Sequence, residues 1–302
     1  MGNDKKNILF LIEGGIGHHF VCTPAIKLLK EKEDCNMIVL CGFPAVFEKN
    51  PYVDEVFFMG SHPASAENLF KRTYGNFDCF NPLIYKDFFH FSNKNKLHIK
   101  QLVGELCDVE IDKNEKLLYY PMDSETDHVT AWKKKRTKDG KLKLGIVQKS
   151  GSGIGGNPTA VLKELPHGVM NQVIDDTKDR IFWVQIRLKH EPKLVNIGYD
   201  AVDYDHRKIF ALMSVADLGL GTDSFSQHLM AGVYDIPYIM ALGRSRAENY
   251  AHPSCRVVSV PKSCKWFGCE FPFMNVMRLC QKLDCMNAIT AKMIKTEIMK
   301  II

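Results

Sequence analysis

Apolar positions along the chain fall into short unbroken runs, each followed by a stretch with helical spacing. Asn7 to Ile12 is such a run, closed by Glu13-Gly14-Gly15-Ile16-Gly17, and Pro24 to Lys30 then places apolar residues on one helical face. The pattern predicts a buried strand, a glycine turn and a helix. Met37–Cys41 and Asp54–Phe58 repeat the strand signal, with a short helix over Ala45–Lys49 between them. A phenylalanine- and tyrosine-rich stretch from Phe77 to Phe91 reads as packing, with cleft lining as the alternative. The pattern restarts at Leu142–Gln148, a strand leading into a second glycine loop, Gly151–Pro158, and a helix over Leu165–Thr177. Strands at Ile181–Ile186, Asp217–Gly221 and Ile236–Leu242 then alternate with helices at Ile209–Val215 and Ser226–Gly232, and a terminal helix covers Asn287–Ile302. Strands that are apolar throughout, interleaved with helices, belong to parallel sheets covered on both faces. The fold class is therefore α/β, with two Rossmann-like domains, residues 1–138 and 139–302, facing each other.

Composition agrees with that reading. The chain has 302 residues, 45% apolar and 25% charged, a globular profile with room for two domains of about 150 residues. Disorder and collagen-like repeats are excluded. The apolar run nearest the start, Ile8–Ile12, is too short for a spanning helix or a signal-peptide core. A cytoplasmic or peripherally bound protein is expected. Met1-Gly2 begins like a myristoylation signal, but Lys6 stands where that signal requires Ser or Thr. The net charge of +5 is local: Lys133 to Lys143 holds seven basic residues against one acid, and the rest of the chain is close to neutral. Such a run reads as a solvated connector, with an anionic membrane surface or a polyanion as the alternative partner. Nucleic acid, which usually meets a basic face spread over folded elements, is not favoured.

The candidate chemistry lies at the strand ends. Glycines between a strand and a helix let backbone N–H groups approach an anion at the helix N-terminus. Gly14, Gly15 and Gly17 form one such loop and Gly151-x-Gly153-x-x-Gly156 the other. The second fits the dinucleotide fingerprint, but Asp175 and Asp176 fall before the next strand instead of at its end. Asn157-Pro158 stands where a P-loop requires Lys-Ser/Thr. A nicotinamide dehydrogenase and a P-loop kinase are both disfavoured. In the segment Ala216–Leu229 a buried strand ends in Asp223-Ser224 and a helix starts at once, with His228 near its first turn. Asp223 or Ser224 is suited to cap that helix. Asp, Ser and His together at the carboxyl edge point to a polar site.

These residues resemble the ADP-heptose:lipopolysaccharide heptosyltransferases, glycosyltransferase family 9. Gly14-Gly15-Ile16-Gly17-His18, Thr23-Pro24-Ala25 and Asn50-Pro51-Tyr52-Val53-Asp54-Glu55-Val56 are similar to the family's Gly-x-x-Gly-Asp turn, Thr-Pro-Ala helix start and Asn-Pro-x-Val-Asp-x-Val segment. Lys163-Glu164-Leu165-Pro166 resembles its Lys-x-Trp-Pro, and Asp223-Ser224-Phe225-Ser226-Gln227-His228-Leu229 its Asp-Ser/Thr-Gly-x-x-His-Leu motif. Leu242-Gly243 and Cys285-Met286-x-x-Ile289 extend the likeness; residues 60–140 carry little of it. The resemblance implies a GT-B fold with the acceptor on the N-terminal domain and a nucleotide-diphosphate sugar, ADP-heptose-like, on the C-terminal one. It also implies inverting transfer to a hydroxyl-bearing acceptor without a catalytic divalent metal. His18, standing where the family has Asp, is then the candidate base, with His19 as competitor. Lys163, Ser224 and His228 would hold the diphosphate, and Asp223 would position the helix start or the donor sugar. Phe225 replaces the usual Gly. The readings kept beside this one are transfer to a modified DNA base and a non-catalytic binding protein on the same scaffold.

Cysteines at 264, 269, 280 and 285 place four thiols within 22 residues. Tetrahedral thiolate sites usually use tighter pairs. A branch of the family carries a four-cysteine metal site near its C-terminus, and by that resemblance Cys264, Cys269, Cys280 and Cys285 are candidate ligands for a structural iron or zinc. Small buried hydrophobes are the alternative.

Overall fold

The computed structural model describes residues 5–59, 77–81, 97–149, 163–243, 245–265 and 283–302. The chain divides into two compact units, Met1–Tyr120 and Pro121–Ile302. In the first unit, strands β1 (Lys6–Ile12), β2 (Cys35–Cys41), β3 (Glu55–Phe58) and β4 (Phe77–Phe80) form one sheet in the order β3-β2-β1-β4, every pair parallel. In the second, β5 (Lys143–Gln148), β6 (Ile181–Arg187), β7 (Tyr199–Val202), β8 (Leu218–Gly221), β9 (Tyr238–Leu242) and β10 (Cys255–Ser259) form a parallel sheet in the order β10-β9-β8-β5-β6-β7. Counted from its own first strand, the second sheet has the dinucleotide-fold order 3-2-1-4-5-6 read from the β7 edge, and the first follows it through four described strands. The order reverses between β1 and β4 and again between β5 and β8. At such a reversal, ligands of open α/β sheets bind outside the carboxyl ends of the strands.

The central strands are buried because both faces are covered. Ile8 to Ile12 and Met37 to Cys41 are at most 9% exposed, and Leu144 to Gln148 are buried throughout. The helix Ile16–Lys32 covers the first sheet and runs straight through Pro24. Proline cannot donate to the carbonyl one turn back. Thr23 does so instead, its Oγ1 donating to the Phe20 carbonyl at 2.7 Å and accepting from the Leu118 N–H at 2.9 Å. The Asn50–Val56 segment is structural in the same way: Asp54 Oδ2 accepts from the Met37 N–H at 2.6 Å and from Lys30 Nζ at 2.5 Å, seating β3 against β2.

Several elements differ from the sequence expectation. The first helix begins at Ile16, so Gly17 lies in its first turn and not in the loop. The helices Ile99–Leu106 and Asp123–Arg136 and the strands β7 and β10 were not expected. The terminal helix is shorter, Ala291–Ile298, preceded by a turn of helix at Asp284–Asn287. The boundary moves from 138/139 to 120/121 because Asp123–Arg136 packs within the second unit. That helix buries no residue of its own and so has no apolar stripe to read. It is held by a two-pronged Arg207–Glu125 ion pair, by Lys133 Nζ on Asp217 at 2.8 Å, and by Trp132 edge-on to Phe182 and Tyr199. The basic run is thus not a free connector: Lys133–Arg136 close a helix, where cations meet the negative end of its dipole, and Lys143 opens β5.

Candidate functional site

The first unit contributes the turn after β1. Gly14 has φ +89, and Gly15 takes the N-cap position of the helix. A Cβ on Gly14 would fall 2.2 Å from His18 Nδ1, so the left-handed backbone and the missing side chain together give the imidazole its place. His18 is half-buried in the first helical turn, its N–H donating to the Gly15 carbonyl at 3.0 Å. Its neighbour behaves differently. His19 is wholly buried, with Nδ1 2.9 Å from the Gly15 carbonyl and Nε2 3.1 Å from the Gly42 N–H. A carbonyl accepts and an N–H donates, which assigns His19 as the neutral Nδ1–H tautomer. Both ring nitrogens tie the loop after β1 to the loop after β2. His19 is a brace, and His18 is the histidine of this turn with access to solvent.

The second unit contributes the turn after β8. Asp223 is 7% exposed, and its Oδ2 accepts from Lys163 Nζ at 2.6 Å and from Ser245 Oγ. The Lys163 side chain keeps 26% of its exposure and lies over the Tyr250 ring, 5.9 Å from its centroid. A buried carboxylate therefore holds a partly open ammonium at the switch point. Asp223 is not the helix cap that its position promises, because its carboxylate is spent on Lys163 and Ser245. Ser224 takes the N-cap position, also without a side-chain cap bond. The helix continues as Phe225–Gln227 and then, π-helical, as His228–Val233. Phe225 leans on Phe210, ring centroids 6.1 Å apart. His228 is buried, with Nδ1 3.0 Å from His252 Nε2. Tyr250 joins this histidine to the lysine, its carbonyl accepting from Gln227 Nε2 at 3.2 Å while its ring faces Lys163.

Local sequence explains this geometry. Gly221 ends β8 where a Cβ would lie 2.4 Å from the Gln148 carbonyl and from the Tyr238 hydroxyl, so only glycine lets β5 and Tyr238 approach this closely. Lys163 enters on a segment anchored by the buried Leu165, whose N–H donates to the Lys149 carbonyl at 3.3 Å before Pro166 caps the helix His167–Thr177. The structure thus brings Lys163 together with Asp223. Ser245, Tyr250 and His252 were missed; the signal for them is the polar stretch following the buried β9, since that strand ends at the same sheet edge as β8. At the end of β6, where a dinucleotide fold carries its acid, Arg187 stands instead, forked onto Asp200 at 2.8 and 2.7 Å.

The second glycine loop, Gly151–Gly156, lies outside the described residues, as do Cys269 and Cys280. Cys264 is half-buried and Cys285 buried, with its Sγ 2.6 Å from where a Gly243 Cβ would be. Among the described residues no group of three or more His, Cys, Asp or Glu is arranged to hold a metal ion. Burial pushes the Cys41, Cys107 and Cys255 thiols up to about 12, so these behave as small hydrophobes. Among the described residues no helix is long and apolar enough to cross a membrane.

Two parallel Rossmann-type units, each with a polar turn at its switch point, define the GT-B class of α/β fold. Glycosyltransferases are among the solved structures that the chain resembles. A glycosyltransferase family 9 protein from Veillonella parvula superposes with a TM-score of 0.74 at 13% identity, covering 100% of this chain and 98% of that one. TibC, an iron-containing dodecameric glycosyltransferase from enterotoxigenic E. coli also solved with ADP-D-beta-D-heptose, gives 0.69 at 13% identity over 99% of this chain and 76% of its own. The E. coli ADP-heptose lipopolysaccharide heptosyltransferase II gives 0.62 at 11% identity over 98% of each chain. No protein-family model matches the sequence, and no curated protein does.

Proposed function

We propose that the chain is an inverting glycosyltransferase that moves a sugar, heptose-like by resemblance, from a nucleotide-diphosphate sugar to a hydroxyl group on a glycan, lipopolysaccharide or protein. The observation that carries this reading is the Lys163–Asp223–Ser245 cluster at the switch point of the second sheet, a fixed cation beside a helix start. Such a pairing suits a diphosphate, because the ammonium and the helix amides meet its charge without a metal ion. The fold shared with glycosyltransferases supports it.

In this reading the acceptor oxygen attacks the anomeric carbon as the bond to the diphosphate breaks. The bonding electron pair leaves on the phosphate oxygen, and His18 takes the acceptor's proton. A positioned base contributes about 10²- to 10⁴-fold in rate. Lys163, Ser224 and His228 hold the departing charge, Asp223 keeps Lys163 aimed, and Gly14 and Gly15 keep the turn around His18 open. The test is thermal unfolding against ADP and a panel of nucleotide sugars. A ligand at a hundred times its Kd stabilises the native state by about 2.7 kcal/mol, and Lys163→Met should abolish the shift. If no nucleotide raises the unfolding temperature, the reading is wrong. Elemental analysis of the purified protein decides separately whether Cys264, Cys269, Cys280 and Cys285 hold iron or zinc.

A further inference from the structure

We propose that the amino edge of the second sheet is a docking surface for an anionic lipid membrane, built from the end of the helix Asp123–Arg136, the turn that follows it and the exposed Met299. The proposal does not rest on the glycosyl-transfer reading. Lys134, Lys135, Arg136, Lys138 and Lys141 are exposed, as are Lys143, the first residue of β5, and Arg180, just before β6. Backbone contacts draw them together. The Asp139 N–H donates to the Lys134 carbonyl at 2.9 Å, the Leu142 N–H to the Thr137 carbonyl at 3.0 Å, and the Lys143 N–H to the Arg180 carbonyl at 2.9 Å. Interspersed with these seven cations are two acids, Asp139 and Asp179. Among the described residues no acidic side chain pairs with any of the seven, whereas the neighbouring Lys133, Lys178 and Lys295 are matched to Asp217, Asp175 and Asp176. Unmatched like charges repel one another across this edge, and an anionic surface relieves that repulsion.

The surroundings of the cations fit a plane of headgroups better than the groove of a nucleic acid. The helix has 14 residues, a length of about 21 Å, and its opening turns carry the exposed Asp123 and Asp127. Laid along a groove, it would press those acids against phosphate; met end-on by a plane, it offers its basic end alone. Trp132 is no platform for a base, its ring being engaged edge-on with Phe182 and Tyr199 and covered by the Arg136 guanidinium at 5.8 Å. Met299 is 47% exposed, and its Sδ accepts from Arg180 Nη1 at 3.5 Å, so an apolar side chain stands among the cations. The headgroup boundary of a bilayer takes both, the apolar group and the methylene stems inward and the charged ends among the lipid anions. Lys163 and Asp223 lie at the opposite, carboxyl edge of the same sheet, so these cations form a surface separate from the candidate diphosphate site.

Co-sedimentation of the full-length protein with vesicles tests this, comparing phosphatidylcholine containing phosphatidylglycerol with phosphatidylcholine alone. Expected is binding to the charged vesicles only, lost at high salt, where the reach of a charge shrinks to about 3 Å at 1 M. A lysine close to an anionic bilayer strengthens binding about fivefold, so Lys134→Gln, Lys138→Gln and Lys141→Gln together should weaken it about a hundredfold. Lys189→Gln, Lys193→Gln and Lys262→Gln change the net charge equally from exposed positions after β6 and β10, and should leave binding within a few-fold of the wild type. Met299→Gln keeps every charge and should still weaken binding by a few-fold, which a purely ionic contact would not do. All these positions are exposed, and thermal unfolding of each variant checks that the fold is kept. Absence of binding to the charged vesicles at low salt, equal binding to the neutral ones, equal losses in the two triple variants, or a Met299→Gln variant that binds unchanged would each overturn the proposal. A protein that holds a short DNA duplex but not the charged vesicles would assign the edge to nucleic acid and overturn it as well.

Discussion

Lys100 offers a quantitative test of how the first unit is built. It lies in the first turn of the helix Ile99–Leu106, is 0% exposed, and donates from Nζ to the Glu115 carbonyl. Burial pulls its pKa from 10.5 down to about 8, against the opposing pull of Glu115 and Asp112. At about 1.4 kcal/mol per pH unit, carrying that charge inside the fold costs about 3 kcal/mol at any pH below 8. Lys100→Met keeps the length of the side chain, removes the charge, and gives up one hydrogen bond worth about 1 kcal/mol. The variant should therefore be more stable than the wild type by about 2 kcal/mol at pH 7. The sign then reverses. Between pH 8 and 10.5 the unfolded wild-type chain binds more protons at this site than the folded one, so wild-type stability rises with pH. Above 10.5 lysine is neutral in both states, and the variant should be the less stable by about 1 kcal/mol. Urea unfolding of both proteins at pH 7, 9 and 10.5 measures the difference, with other titrating groups cancelling between them. A variant that is less stable at pH 7, or a difference that does not change with pH, would refute the reasoning.

Three further outcomes follow from the site and its scaffold. His18→Ala should lower turnover by about 10²- to 10⁴-fold while ADP affinity is retained; undiminished turnover removes His18 as the base. Gly14→Ala should reproduce much of that loss, since its Cβ would displace the ring and the backbone φ of +89 is strained for any other residue by about 1–2 kcal/mol; kinetics and denaturant unfolding of one preparation report both effects. Thr23→Val strands the Phe20 carbonyl and the Leu118 N–H and should cost about 2–4 kcal/mol, read as a lowered urea midpoint, whereas Thr23→Ser should recover most of it.

How much of this was legible in the sequence depends on whether the signal was local. Ile8–Ile12, Met37–Cys41 and Ile181–Ile186 were readable as buried strands because a parallel sheet demands apolar side chains on both faces, and a run of them needs no partner to be recognised. The helix Asp123–Arg136 was not, because ion pairs with Arg207 and Asp217, residues far along the chain, replace the apolar stripe. β7 and β10 are edge strands, covered less completely and so patterned less clearly. At the site, the resemblance to the heptosyltransferase motifs singled out His18, Lys163, Asp223 and His228. It did not separate His18 from His19, which depends on Gly42 arriving from the next strand.

The sequence by itself determined the α/β class, the glycine turn at Gly14 and the helix start after Asp223, because each rests on residues within a turn of one another. Tertiary structure decided what those residues do. Asp223 clamps Lys163 instead of capping its helix, and His19 braces two loops. Each of these depends on a hydrogen-bond partner delivered by a different strand of the sheet, and only the order in which the strands pair brings that partner within reach.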